Sequence, residues 1–261
     1  MICFLIVSDA KVHHFQRIFL ILRNKKDRTM KTIHPVAYFR SPLTSKFGIP
    51  RQSGVAAHLR GSIVLTPEYR LPNAIRGLDG FDYIWLVWGF SANKHEATGV
   101  TVRPPRLGGN ERMGVFATRS PYRPNGLGLS SVKIERIETD TPDGPVIHVS
   151  GADLMDGTPI YDIKPYLPYV DAHPEARGGF TDTTQWEPLR VVIPHAIECL
   201  FATGELEALR EILASDPRPS YHHDPNRIYG MPFGGRDVKF KVADGVLSVT
   251  EVADTGTMAR E

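Results

Sequence analysis

Between Thr32 and Tyr169 the chain is cut into short apolar or alternating runs at intervals of about ten residues, separated by turn-forming clusters and free of any long helical period. That spacing leaves no room for the crossover helices of a parallel sheet. It favours an antiparallel sheet, closed into a barrel or stacked as a sandwich. IHPVAYF at 33–39 and the segment 128–137 alternate as half-buried strands do, 61–65 is a short strand candidate, and Val146–Val149 returns from the turn TDTPDG at 139–144. FDYIWLVWGF at 81–90 is apolar almost throughout and reads as a central buried strand, preceded by a helical turn at Asn73–Leu78. The segment 151–169 holds Asp153, Asp156 and Asp162 but lacks the alternate oxygen ligands and closing Glu of a calcium loop. No GxGxxG joins a strand to a helix and no phosphate-loop motif occurs, so neither nucleotide fold is supported.

After this mainly β unit (31–172), residues 173–189 read as a linker and 190–261 as a smaller α+β unit. There, 190–193 is strand-like, and Ile197–Ala214 sets Leu200, Leu206, Leu209, Ile212 and Leu213 at helical spacing, as one helix or two broken near Gly204. Pro217 and Pro219 halt it. Two alternating runs, 237–242 and 246–252, flank Asp244-Gly245, a two-residue hairpin signal. Residues 1–30 are read as an extension outside the fold, with Met30 opening the functional chain; their apolar runs are too short for a membrane span and lack secretory order. Cys3 and Cys199 make no CxxC and fit a reducing compartment, the cytoplasm. His222, His223 and Asp224 could ligate a metal, but Pro219 and Pro225 around them mark an exposed loop, and no metal is expected.

Net charge is only +2, so affinity for a polyanion has to be local. The stretch 102–125, VRPPRLGGNERMGVFATRSPYRPN, supplies it. Arg103, Arg106, Arg112, Arg119 and Arg123 face the single acid Glu111 on a backbone stiffened by Pro104, Pro105, Pro121 and Pro124, which lowers the entropy lost on binding. Met113–Ala117 within it reads as a short buried strand between two arginine-bearing loops. An anionic partner is the first hypothesis.

FGIPRQSG, AIRGLDGFDYIWLVWGF, the arginine stretch continued through GLGLS, DLMDGTPIYDIKPYLPY and DPRPSY occur in this order and together closely resemble the bacterial tRNA methyltransferase O family, also called TsaA-like or YaeB-like, over about Ile33–Val252. The resemblance implies a single-sheet β-barrel of the TsaA-like type that binds S-adenosylmethionine, with a smaller C-terminal α+β domain, and a homodimer with active sites near the subunit interface. It further implies methylation of the exocyclic amine of threonylcarbamoyl-adenosine beside the anticodon in threonine tRNA. Carried over by motif, the cofactor contacts are Gln52, Ser53 and Gly54; Ser91 and Ala92; Arg119 and Leu129; and Asp153, Leu154, Met155 and Asp156. Two departures stand out: the family often has HisGln where this chain has Ser91 and Ala92, and usually Pro where it has Gly126.

For the transfer itself, positioning supplies most of the acceleration, and a proton has to leave the nitrogen as the methyl arrives. Asp153, Asp156 or Asp162 could accept it, with turn capping as the competing reading, while Tyr122 or Tyr161 could orient or stack on the base. Arg103, Arg106, Arg112, Arg123 and Lys164 are assigned to tRNA phosphates and the threonyl carboxylate, and Arg218 and Tyr221 to an extended RNA grip or the dimer. The alternatives are a non-catalytic RNA-binding barrel, or a methyltransferase for another adenosine or a small metabolite.

Overall fold

The computed structural model describes residues 31–93, 99–107, 111–184, 187–219, 222 and 224–255, with the side chain of Arg106 outside that set. The expected extension, residues 1–30, lies outside the described residues. Pro35–Glu261 form one compact unit.

That unit begins with β1 (Ala37–Arg40), β2 (Arg60–Leu65) and β3 (Tyr83–Gly89), continues through a small ribbon of β4 (Thr101–Val102) and β5 (Met113–Gly114), and proceeds to β6 (Leu127–Glu138), β7 (Val146–Ser150) and β8 (Pro159–Pro165). Six of these strands pair antiparallel in the order β1-β2-β7-β6-β3-β8. The ring closes where Ala37 meets Ile160 and Tyr38 meets Pro159. Along β3, Ile84, Leu86 and Trp88 point into the barrel, where they join Phe39, Ile63, Val132, Ile147, Val149, Leu154 and Ile160, while the alternating Tyr83, Trp85 and Val87 are exposed or half-buried, so the strand buries one face and not two. Each inward side chain contributes about 1.5–3 kcal/mol on burial.

Past α1 (Pro168–Asp171) and α2 (Phe180–Thr183) come β9 (Arg190–Val192), α3 (His195–Glu198), α4 (Thr203–Ala214), β10 (Tyr229–Phe233), β11 (Arg236–Ala243) and β12 (Val246–Asp254). The four strands form a sheet in the order β10-β11-β12-β9, in which β9 runs parallel to β12. Helix α4 buries Ala208, Leu209, Ile212 and Leu213, and its Glu205 reaches back to the Ala202 N–H at 3.1 Å. The helical spacing over 197–214 thus resolves into two helices, interrupted before Gly204. Asp244 and Gly245 turn the β11–β12 hairpin at φ 50° and 74°, the left-handed pair that the Asp-Gly signal requires.

Three features depart from the sequence reading. Strand β8 was hidden among aspartates and prolines, and β10 behind Gly230 and Pro232; the proline is tolerated because β10 lies at the sheet edge. Met113–Ala117 is not a buried strand: pairing stops at Gly114, a 3-10 turn follows, and only Val115 is buried while Phe116 is 80% exposed. Finally, Leu43, Ala56 and Leu59, from the loop between β1 and β2, pack into the core of the C-terminal sheet with Leu209, Met231 and Phe240. That loop, which carries Arg51 and Gln52, is therefore fixed from both sides.

Candidate active site

Four segments meet beyond the end of β3 and line a cavity of about 450 Å³. The β1–β2 loop brings Lys46, Arg51 and Gln52; the chain just past β3 brings Phe90, Ser91, Ala92 and Asn93; the arginine loop brings Thr118, Arg119, Pro121 and Arg123; and the turn before β8 brings Asp153, Met155 and Thr158. Trp88, Leu127 and Leu129 complete apolar walls of the size and character of a small-molecule site.

Hydrogen bonds cross-tie these segments. Arg119 Nη1 donates to Gln52 Oε1 at 2.7 Å, and Lys46 Nζ to Asn93 Oδ1 at 2.9 Å. Asn93 Nδ2 in turn donates to the Pro121 carbonyl at 3.0 Å, and Arg123 Nη1 to that of Thr118 at 2.9 Å. Arg51 Nη2 reaches the Asp216 carbonyl at 3.2 Å. All four cations are therefore held by neutral oxygens. Among the described lining residues they stand against one carboxylate, Asp153.

Asp153 sits at the inner end of a short buried chain. Trp88 Nε1–H donates to Ser130 Oγ at 2.9 Å, and the Ser130 hydroxyl donates to Asp153 Oδ1 at 2.5 Å. Burial pushes the Asp153 carboxyl above the usual carboxylate range, against the opposing pull of the Ser130 hydroxyl, of backbone hydrogen bonds from Asp153 itself and Ser53, and of the Arg119 charge.

Of the expected cofactor residues, Gln52, Ser91, Ala92, Arg119, Leu129, Asp153 and Met155 line the cavity, while Ser53, Gly54, Leu154 and Asp156 do not. Ser53 acts through Asp153, Gly54 N–H donates to the Gly151 carbonyl at 2.8 Å, and Leu154 is fully buried in the barrel core. Asp156 is a cap: its Oδ1 accepts the Ser41 N–H at 3.1 Å, and Oδ2 lies 3.9 Å from Arg40. Asp162 likewise accepts the Ile163 N–H at 3.0 Å and pairs with Lys164 at 2.9 Å, on the outer face of β8. A cap at Asp156 and an ion pair with Lys164 at Asp162 thus account for these two carboxylates, and of the three the geometry leaves Asp153 as the one presented to the cavity.

Tyr161 covers Gly89, where a Cβ would stand 2.9 Å from its ring, and Tyr122 is 54% exposed between two lining residues, Pro121 and Arg123. Arg103 and Arg112 are exposed on the ribbon, where Arg112 Nη1 donates to Thr101 Oγ1 at 3.2 Å. Arg218 is no open cation: its Nε and Nη2 clasp Asp216 at 2.8 and 2.9 Å, which holds the guanidinium pKa above its ordinary value. Tyr221, His223 and the Arg106 side chain lie outside the described residues, and no cluster of metal-ligating residues occurs among those described. Sequence reasoning missed Lys46, Asn93, Trp88 and Ser130. A hydroxyl at an inward position of β6, in register with Val132, was the available signal for Ser130.

A closed antiparallel barrel with a cationic cavity walled by aromatic rings is unlike the doubly wound sheets that bind nucleotides at a strand-order switch. Residues 38–172 match the family model of the tRNA-methyltransferase O N-terminal domain, and residues 196–255 that of the TrmO C-terminal domain. The chain belongs to the tRNA-methyltransferase O family. It is 35% identical over 222 residues to the tRNA (adenine(37)-N6)-methyltransferase of Escherichia coli strain K12, covering 82% of this chain and 94% of that protein. A Pseudomonas aeruginosa protein provisionally named an S-adenosylmethionine-dependent methyltransferase is 38% identical over 214 residues, 79% of this chain and 90% of its own length. The crystal structure of TrmO from Pseudomonas aeruginosa superposes with a TM-score of 0.69 at 31% identity, covering 86% of this chain and 99% of that one.

Proposed function

We propose that this chain is an S-adenosylmethionine-dependent tRNA methyltransferase acting on N6 of adenosine 37, that its substrate is threonylcarbamoyl-adenosine beside the anticodon of threonine tRNA, and that it works as a homodimer. Membership of the family carries the reaction class. The charge of the cavity supports the finer substrate. Its four cations far exceed what the cofactor, with a single carboxylate and two cationic centres, requires. Phosphates and a threonyl carboxylate on the substrate account for the excess.

The lining fits the cofactor: Trp88, Phe90, Leu129 and Met155 form the apolar slot an adenine needs, and Arg119, steadied by Gln52, offers a cation for a carboxylate. When bound, S-adenosylmethionine supplies a methyl group on a cationic sulfur. Asp153 is placed to take the proton that the substrate nitrogen gives up as it gains the methyl. Carbamoylation makes that N–H more acidic, which suits a carboxylate base. Lys46, Arg51 and Arg123 hold the anionic groups around it. Val100 and Phe116, 82% and 80% exposed beside the β4–β5 ribbon, offer apolar surface for a second copy. No helix among the described residues is long and apolar enough to cross a membrane.

Methyl transfer by the purified protein to threonylcarbamoylated threonine tRNA and to the unmodified transcript tests the proposal. Labelling of the modified tRNA alone is expected, and equal labelling of both overturns the substrate reading. Absence of calorimetric cofactor binding up to about 1 mM, a free energy near −4 kcal/mol, favours the non-catalytic RNA-binding barrel instead.

A further inference from the structure

We infer that Ser130 and Trp88 are positioning residues for methyl transfer, a buried two-link relay that fixes the orientation and proton affinity of the Asp153 carboxylate. The inference rests on the reading of Asp153 as the base.

Hydrogen-bond bookkeeping gives the relay its direction. An indole N–H can only donate, so Trp88 Nε1, 2.9 Å away, occupies a lone pair of Ser130 Oγ. The single hydroxyl proton of Ser130 is then free to point one way, to Asp153 Oδ1 at 2.5 Å. A hydroxyl is commonly a free rotor, but this one is 2% exposed and clamped between a donor and an acceptor. Replacing it by an apolar group would leave the Trp88 N–H without this acceptor and Asp153 Oδ1 without this donor, inside the barrel wall.

The barrel is shaped to admit the relay. Gly128 lies opposite Trp88 in the β3–β6 register, and a Cβ there would stand 2.4 Å from the indole. Phe90 packs edge-on against the same ring with centroids 4.4 Å apart. The glycine is thus required by close approach, and it lets the indole lie across β6 and reach Ser130 two residues along. Gly128, Trp88 and Asp153 all line the cavity, so the relay joins the cavity wall to the one carboxylate among the described lining residues. Because the Ser130 bond favours the ionised carboxylate while burial opposes it, Ser130 keeps the base ready to accept the nitrogen proton in exchange for the incoming methyl.

The test is the pH dependence of single-turnover methyl transfer to threonylcarbamoylated tRNA, alongside cofactor affinity by calorimetry. Ser130→Ala is expected to move the acidic limb of the rate profile upward by about one pH unit, which slows transfer about tenfold at pH values on that limb. Cofactor affinity should change less than about twofold. Ser130→Thr, which keeps the hydroxyl, should restore the limb, and Trp88→Phe should shift it in the same direction by a smaller amount. A Ser130→Ala limb that coincides with the wild type, while Asp153→Asn is inactive, overturns the relay and leaves the base assignment standing. An Asp153→Asn variant of wild-type rate overturns the base reading and the relay with it. If Ser130→Ala does not fold, Trp88→Phe carries the test, since it removes the orienting N–H and retains a ring.

Discussion

Arg119 and Gln52, 67 positions apart in sequence, are joined by a 2.7 Å hydrogen bond from guanidinium to side-chain carbonyl. The bond ties the arginine loop to the β1–β2 loop at the cavity wall, and it orients Arg119 without neutralising it. Arg119→Ala should therefore weaken S-adenosylmethionine binding by about 10- to 100-fold, the worth of a charge-assisted contact. Gln52→Leu, which leaves the cation but frees its direction, should cost less. Calorimetry on both variants checks the order, and a larger loss in Gln52→Leu would contradict it.

Asp153 and Asp156 stand three residues apart and should behave oppositely. Asp153→Asn removes the cavity carboxylate and should slow methyl transfer by about 10²- to 10⁴-fold while the fold persists. Asp156→Ala removes the cap on the Ser41 N–H and should lower stability by about 1 kcal/mol, with transfer retained once the protein is folded. Denaturant titration and single-turnover rates separate the two. The raised pKa of Asp153 carries a sign: a base has to be ionised, so activity is lost as pH falls through that value, at a higher pH than for an ordinary carboxylate.

How far the sequence foretold this arrangement depended on how local the cause was. The Asp244-Gly245 hairpin needs two left-handed residues, a demand met within two positions, and β3 shows its inward face as Ile84, Leu86 and Trp88 at every second place. Both were legible. Strand β8 owes its state to pairing with β1 and β3, which no pattern inside 159–165 reveals. The Trp88–Ser130–Asp153 chain depends on register across β3 and β6, so side chains 42 and 23 positions apart meet only once the barrel closes. Gln52 and Arg119 were chosen by resemblance, since nothing in their spacing joins them. The Arg218 clasp was not legible although its partner Asp216 is two residues away, because a cation near prolines suggests a ligand as readily as a local clasp.

That clasp separates two arginines otherwise assigned to RNA. The Arg218 side chain is only 13% exposed and held by both oxygens of Asp216, whose own carbonyl accepts from Arg51. Arg218→Ala should cost about 1–3 kcal/mol of stability and leave the salt dependence of tRNA binding nearly unchanged. Arg123→Ala should do the reverse, weakening tRNA binding and reducing the salt slope by about 1. Binding titrations at several salt concentrations decide between them, and a lowered slope in Arg218→Ala would return that residue to the RNA surface.

His58 supplies a pH-dependent tie between the β1–β2 loop and α4. Its backbone N–H donates to Glu211 Oε2 at 2.9 Å, its Nδ1 lies 2.6 Å from Glu211 Oε1, and Nε2 lies 3.6 Å from Glu207. The Glu211 hydrogen bond and charge raise the His58 pKa, helped by Glu207 and opposed by solvation loss and by Arg60. A raised folded-state pKa means that the stabilisation is fully present below the ordinary histidine value of about 6.5 and is lost as pH rises through the folded value. The melting temperature of the wild type should therefore exceed that of His58→Gln at acidic pH, and the gap should close on the alkaline side. Glu211→Gln should flatten the dependence in the same way. Thermal unfolding across this range checks the sign, and a gap that widens with pH would show that His58 is not held as the charged partner of Glu211.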